Sequence, residues 1–281
     1  MKIRVSFSVD PKLIKEVDRT VDGIAVRSRS DALETMIKER YYDKRTAVIM
    51  CGGSPDRLLV PGLDIYRPLV KIGKKTLIED IALKCGESKF ENIIIVGFTS
   101  VISKIYEVLG NGEGHGVSVT YIEEKKGLGT AKTLELAKKY IKTDFLFLPC
   151  DHYFDFDLSK LYDFHLSQNG MVTLGVHMRT SFDWEGGIVD MEGFRITDFE
   201  EHPKKPKTHV SSLFIGFMKP DIFNYVPSGD VYWSLQENIF PRLAKEGKLI
   251  GYPVGGNWVN IHSKKDADKA NDINKNVSAV K

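Results

Sequence analysis

Between residues 46 and 148, short and wholly apolar runs alternate with longer amphipathic segments, and this pattern constrains the fold more than any other feature. Ala47-Val48-Ile49-Met50 and Phe145-Leu146-Phe147-Leu148 have no polar face. Strands of that kind must be covered on both sides, as parallel strands flanked by helices are. The spacing predicts strands at 46–50, 92–97, 117–121 and 144–148, with helices near 76–87, 100–109 and 129–140,. The expected fold class is therefore α/β, with a mixed, mostly parallel sheet. After about residue 170 the pattern loosens into strands with turn signals such as Val189-Asp190-Met191-Glu192-Gly193. A last helix, Leu235 to Glu246, then precedes a final strand and tail. No internal repeat or low-complexity linker is visible.

The first 45 residues have a different texture. Residues 2–9 alternate strictly, with Ile3, Val5, Phe7 and Val9 on one face and Lys2, Arg4, Ser6 and Ser8 on the other, the period of a half-buried strand. Asp10-Pro11 is a helix start. Leu13, Ile14, Val17 and Val21 give this helix an apolar face, and Gly23 ends it. A second helix is expected to start at Ser30 and to carry Leu33, Met36 and Ile37 inward. One strand and two helices bury too little surface to close a core alone, and a lone strand leaves its backbone unpaired. A second copy supplies both needs.

This segment resembles a ribbon-helix-helix DNA-binding domain, both in its strand and in Arg27-Ser28-Arg29-Ser30-Asp31-Ala32. The resemblance implies a small dimeric domain at 1–45, a homodimer or higher even-numbered oligomer, and double-stranded DNA as partner. Arg4, Ser6 and Ser8 would then face base edges in the major groove, and the helix start near Ser28 to Ser30 would sit on a DNA phosphate. The charge balance adds modest weight, since residues 1–45 carry a net +3 and the remainder −1.

Across its 281 residues the chain is 42% hydrophobic and 28% charged, ordinary for a globular protein,. No apolar stretch reaches the length of a membrane span, and MKIRVSFSVD lacks the apolar core of a signal peptide,. A cytoplasmic location without membrane partners is expected. Cys51, Cys85 and Cys150 form neither a metal-type pattern nor an even disulfide set,.

Four blocks after residue 45 carry chemistry. Cys51-Gly52-Gly53-Ser54-Pro55-Asp56-Arg57-Leu58 follows the first strand, where glycines let a ligand approach the backbone at the carboxyl rim of an open sheet. Arg67-Pro68-Leu69-Val70-Lys71 brings further cations suited to phosphate. Gly127-Leu128-Gly129-Thr130-Ala131 opens a helix. Phe145-Leu146-Phe147-Leu148-Pro149-Cys150-Asp151 places a carboxylate at a strand end, where it can hold magnesium with substrate phosphates or simply cap the next turn,.

In this order the blocks resemble the sugar-phosphate nucleotidylyltransferases. The likeness runs from about residue 46 to 271 and includes Ile196-Thr197-Asp198-Phe199-Glu200-Glu201-His202-Pro203 and Gly256-Asn257-Trp258-Val259-Asn260-Ile261. It implies a Rossmann-like nucleotidyltransferase domain at 46–281 that joins a sugar 1-phosphate to a nucleoside triphosphate (NTP), giving a nucleoside diphosphate (NDP)-sugar and pyrophosphate, with Mg²⁺ as cofactor. Carried across, Arg57, Arg67 and Asp151 are the catalytic positions. Gly52, Gly53, Glu124 and Gly129 are nucleotide-binding, Glu201 and Asn260 contact the sugar phosphate, and Asp151 and Asn260 hold the metal.

Several positions depart from the family pattern. Pro55-Asp56 replaces Gly-Thr, Arg67 and His202 replace lysines, Asn260 replaces a second Asp, and Ser211-Ser212-Leu213 stands where Asn-Ala-Gly is common. His202 and His262 fall near the expected site loops. Lys204-Lys205-Pro206-Lys207 reads as a solvated loop, and Trp184, Trp233 and Trp258 as core or pocket walls. Two functions follow: a transferase with a DNA-binding arm, or a transcription regulator whose altered transferase domain senses a nucleotide or NDP-sugar.

Overall fold

The computed structural model describes residues 5–6, 8–23, 26–41, 45–179 and 186–280. The chain separates into two compact units, Met1–Lys44 and Arg45–Lys281.

In the first unit, α1 (Pro11–Arg19) begins as expected: Asp10 accepts the Lys12 N–H at 2.7 Å and Pro11 takes the first helical position. It stops four residues before Gly23, because Thr20 turns its hydroxyl and N–H back onto Val17. The helix α2 (Arg29–Tyr41) starts one residue before the expected Ser30 cap. Ser28 is the residue whose hydroxyl accepts the Asp31 N–H, while Asp31 accepts the N–H of Arg27, the residue before Ser28. Arg29 forks onto both carboxylate oxygens of Asp18 at 2.7 Å, clamping the two helices.

Val17 and Ala32 are the buried apolar side chains of this unit among the described residues. Leu13 and Ile37, expected on the inward faces, are instead 60% and 50% exposed in the single chain. Of the strand read over residues 2–9, Val5, Ser6, Ser8 and Val9 belong to no strand; within one copy they have no ribbon partner to pair with. Residues 1–4 (Arg4 among them), Phe7 and Trp184 lie outside the described residues.

The second unit is built on a nine-stranded sheet. Its first four strands are β1 (Thr46–Cys51), β2 (Asn92–Gly97), β3 (Ser118–Glu123) and β4 (Phe145–Pro149), mutually parallel in the spatial order β4-β1-β2-β3. The chain moves outward from β1 to β3 and then returns to the other side of β1. The carboxyl ends of β1 and β4 therefore flank a topological switch point, where open α/β sheets bind ligands.

Beyond β4 the sheet turns mixed. The strands β5 (Val172–Met178), β6 (Gly187–Glu192), β7 (Arg195–Glu201), β8 (Val210–Met218) and β9 (Leu249–Pro253) continue it in the order β5-β9-β7-β6-β8 up to β4. β8 runs antiparallel to β4 with Gly216 opposite Phe147, and β5 pairs with both β8 and β9, so this half curls back on itself.

Both faces of β1 are buried, as its sequence requires. Ala47, Ile49 and Cys51 pack with Leu77 and Ile81 of α3 (Leu77–Glu87) and Ile105 of α4 (Thr99–Leu109); Val48 and Met50 pack with Leu134, Leu235 and Phe240. Each fully buried large side chain of this kind contributes roughly 1.5–3 kcal/mol relative to exposure.

Three expected elements differ. The helix read over 129–140 is α5 (Thr130–Glu135) followed by a separate 3₁₀ turn, Lys138–Tyr140. The segment Leu235–Glu246 opens as a π-turn, Leu235–Ile239, before the α-helix Phe240–Lys245. Pro241 explains this, since it has no N–H for an intrahelical bond and crowds the preceding turn.

The tail is a third difference: Lys264–Val280 is a 17-residue helix. Ser263 and Asp266 cap it reciprocally (2.8 and 3.3 Å). Ala267 and Ala270 are buried, and Asn271 bonds Gly73 N–H and Lys71 C=O.

Candidate active site

The loop after β1 is shaped by a buried carboxylate. Glu124, 2% exposed, accepts the Gly53 N–H at 3.2 Å and the Thr133 hydroxyl at 2.5 Å. Burial raises its pKa above the usual carboxylate range, against the lowering effect of these two bonds. Both carboxylate oxygens are thus engaged behind the loop, so Glu124 supports the Gly52–Gly53 loop rather than lining the cleft. A Cβ on Gly52 would lie 2.5 Å from Thr133 Oγ1 and 2.7 Å from Glu124 Oε2, so only glycine fits there. Gly129 is required on two counts: its φ is +94°, and a Cβ would meet the Trp233 carbonyl at 2.5 Å.

These loops enclose a cleft of about 690 Å³ whose lining includes Gly52, Gly53, Arg57, Gly129, Arg67 and Asp151, together with Thr130, Thr133, Phe214 and Tyr232. The strand ends that the sequence singled out converge on one cavity. Pro55 occupies the first position of a single helical turn, Pro55–Leu58, which leaves Arg57 exposed on the wall. Asp56 is exposed and is not among the lining residues, so its charge points away from the cleft.

Deeper in, Arg67 Nη1 donates to Asp151 Oδ2 at 3.0 Å, with both side chains largely buried (14% and 12% exposed). A short strand, His152–Phe154, pairs antiparallel with Trp258–Asn260, and Ile261 N–H donates to the Asp151 carbonyl at 2.8 Å. This ladder brings Asp151 and Asn260, far apart in sequence, to adjacent backbone positions. Cys51 and Cys150, at neighbouring strand ends, form a buried thiol pair. A hydrogen bond with Cys51, reinforced by burial, holds the Cys150 thiol well above its ordinary value, which makes it unreactive.

A second, smaller cavity of about 200 Å³ adjoins the cleft and is lined by Glu201, His202, Asn260, His262, His152 and Trp258, among others. Burial raises Glu201 to about 7, helped by Glu237 and opposed by His202. His202 adopts φ +47° and accepts the Gly186 N–H through Nδ1 at 3.1 Å, which leaves the ring proton on Nε2, 3.5 Å from Glu201 Oε1. Burial pushes His152 down to about 4, so its neutral ring accepts the Trp258 indole N–H at 3.2 Å. Lys204, Lys205 and Lys207 are exposed and line neither cavity.

Some buried polar atoms of the cleft and this cavity have no hydrogen-bond partner. Among the described residues they include Arg67 Nε, Glu201 Oε2 and Asn260 Oδ1. Orphaned groups of this kind in a packed interior call for a water, an ion or a ligand as partner. The two acceptors ask for hydroxyl donors or a cation. Asp151 and Asn260 would offer Mg²⁺ the hard oxygen donors it takes. The donor set therefore fits the ion, although no group of three or more His, Cys, Asp or Glu placed to hold a metal occurs among the described residues.

Residues 46–258 match the sequence profile of the nucleotidyl transferase family. The chain belongs to this family. A glucose-1-phosphate adenylyltransferase of Bacillus cytotoxicus is 28% identical over 256 residues, covering 80% of this chain and 66% of the relative. The chain thus spans somewhat less than two thirds of that protein's length. The adenylyltransferase of Bacillus anthracis is 27% identical over 81% of this chain and 67% of its own.

Two solved structures share the nucleotidyl transferase fold. A glucose-1-phosphate thymidylyltransferase candidate from Bacillus anthracis, solved with sucrose, superposes with a TM-score of 0.75 at 21% identity, covering 82% of this chain and 95% of that one. A UDP-glucose pyrophosphorylase solved with UDP-glucose gives 0.67 at 15% identity, over 84% and 99%.

Sequence reasoning missed Thr133, Tyr232 and Phe214. Thr133 is legible in retrospect, four residues after Gly129 on the buried face of α5. Tyr232 reaches the cleft from a loop 97 residues beyond the end of α5 and carries no local signal. Phe214, with φ +55°, holds the left-handed conformation expected of a glycine, which falls one residue after Leu213.

Proposed function

We propose that this chain transfers a nucleotidyl group from an NTP to a sugar 1-phosphate. A phosphate oxygen of the sugar phosphate attacks the α-phosphorus, the bond to the β-phosphate breaks, and pyrophosphate leaves. The observation that carries this reading is the convergence of Gly53, Gly129, Arg57, Arg67 and Asp151 on one cleft, beside a cavity with two orphaned acceptors.

In this reading Arg57 holds the triphosphate at the rim, while Arg67 lends a fixed positive charge where charge develops. Gly52 and Gly53 let the base and ribose lie against the backbone. Glu201 accepts sugar hydroxyls, Asn260 contacts the sugar phosphate, and Asp151 and Asn260 would hold Mg²⁺, which would neutralise phosphate charge when bound. Catalysis is then mainly positioning plus electrostatics. The test is pyrophosphate release across a panel of NTPs and sugar 1-phosphates: the native chain should turn over at least one pair, and Asp151→Ala should not. Tight NDP-sugar binding without turnover of any pair would instead favour the sensing regulator.

For the first 44 residues, a ribbon-helix-helix dimer that binds DNA is supported by three features. Val5, Leu13 and Ile37 expose apolar surface, little is buried within one copy, and Ser28 opens α2 with an N-terminus suited to phosphate,. In this reading Arg4, Ser6 and Ser8 face base edges while Ser28 and Ser30 meet the backbone. A salt-dependent mobility shift should disappear in Arg4→Ala/Ser6→Ala; unchanged binding would exclude groove reading.

A further inference from the structure

Phe214 is the one residue among those described that lines both the 690 Å³ cleft and the 200 Å³ cavity. It holds this place at a cost. Its φ of +55° is a left-handed conformation that disfavours a bulky side chain by about 1–2 kcal/mol. Such strain persists where the surroundings enforce it, and it clusters at functional sites. Here the surroundings are explicit. Phe214 N–H donates to Ser212 Oγ at 3.1 Å, and the ring packs edge-on against Phe147 and Phe240, with centroids 5.6 and 6.1 Å away. Phe147 and Phe240 are fully buried, so the ring is anchored in the core and acts as a fixed wall rather than a swinging gate.

We propose that Phe214 is the partition that sets acceptor size: it narrows the junction between the nucleotide cleft and the acceptor cavity and restricts the latter to compact, unsubstituted sugar 1-phosphates. This rests on the transferase reading above. Any acceptor phosphate seated beside Glu201 and Asn260 has to reach the nucleotide's α-phosphorus past this ring. A sugar substituent projecting toward the cleft meets aromatic carbon there, where a glycine would leave open space.

Pyrophosphate release by the full chain with Mg²⁺ separates the possibilities, using glucose 1-phosphate and N-acetylglucosamine 1-phosphate with the best NTP. The native protein should favour glucose 1-phosphate by about 30-fold or more in kcat/KM, within the range that pocket size supplies. Phe214→Gly should narrow that ratio by about tenfold by raising the N-acetylglucosamine 1-phosphate value, with the NTP KM changed less than about threefold. Phe214→Leu, which keeps apolar packing on Phe147 and Phe240, should fall between and decides the matter if the glycine variant does not fold. An unchanged ratio in a folded variant, or a native enzyme that uses both acceptors equally, would overturn the partition and leave the transferase standing. Failure of the native chain to bind or use any sugar phosphate would overturn the transferase reading, and the partition with it.

Discussion

Gly52→Ala tests the packing behind the Gly52–Gly53 loop. An added Cβ would meet three atoms at 2.5–2.7 Å: Thr133 Oγ1, Glu124 Oε2 and Thr133 Cγ2. All are fixed, since Thr133 is 3% and Glu124 2% exposed and the two are bonded to each other. Relief therefore requires the loop to move outward. Overpacking of this kind costs about 1–3 kcal/mol, and loss of the Gly53–Glu124 hydrogen bond adds about 1 kcal/mol. Together these predict a drop in Tm of about 5–15 °C for a domain of this size. Because Gly53 moves with its neighbour, the KM for NTP should rise about tenfold or more.

Gly53→Ala provides the contrast. A Cβ there meets nothing within 4 Å, so only its positive φ (+93°) opposes the change, at about 1–2 kcal/mol. Thr133→Ala removes two of the three clashing atoms, so in a double-mutant cycle with Gly52→Ala it should recover at least about 1 kcal/mol as coupling energy. Thermal melts with and without NTP, joined to initial-rate kinetics, read all three variants. A Gly52→Ala protein with native Tm and native KM, or a cycle without coupling, would refute the account of the loop.

Other outcomes follow from the same geometry. Asp151→Asn keeps the shape but removes the carboxylate charge, so kcat should fall about 10²–10³-fold while NTP-induced thermal stabilisation without Mg²⁺ changes little; retention of full kcat would contradict its role. Asn260→Asp adds a charged oxygen beside Asp151, and the Mg²⁺ concentration for half-maximal activity should fall about tenfold; an unchanged value would remove Asn260 from the metal site. Glu201, held at about 7 against an ordinary 4.5 chiefly by burial, binds more protons folded than unfolded between these values. Its contribution to stability is therefore full below 4.5 and lost as pH rises through about 7,. Ionisation makes it the stronger acceptor of sugar hydroxyls, so the acceptor KM should fall as pH rises from 6 to 8, an effect that Glu201→Gln abolishes; a variant with the native pH profile would exclude Glu201.

The parallel half of the sheet was legible because β1, β2 and β4 are apolar on both faces. Residues such as Val48 and Ile49 point to opposite cores, and no polar face blurs the period. The glycine loops and Asp151 were legible because strand ends at a switch point are where ligands bind. What escaped had non-local causes. Glu124 reads as a ligand contact until Gly53 and Thr133 are seen to occupy it. The proline-disturbed turn at 235–239 has the composition of a continuous helix. The C-terminal helix was signalled by Ser263 and Asp266, a cap spacing hidden behind the expected strand and tail. The caps and apolar faces of the first unit were only partly legible, since Leu13 and Ile37 find no core within one copy.

The most direct measurement of the central claim is a crystal structure of the chain with Mg²⁺ and an NTP whose α–β bridge resists cleavage. The account predicts the triphosphate between Gly53, Arg57 and Gly129, with the α-phosphate facing Asp151 and the ion touching Asp151 and Asn260. A nucleotide bound elsewhere, with that cleft still empty, would contradict it.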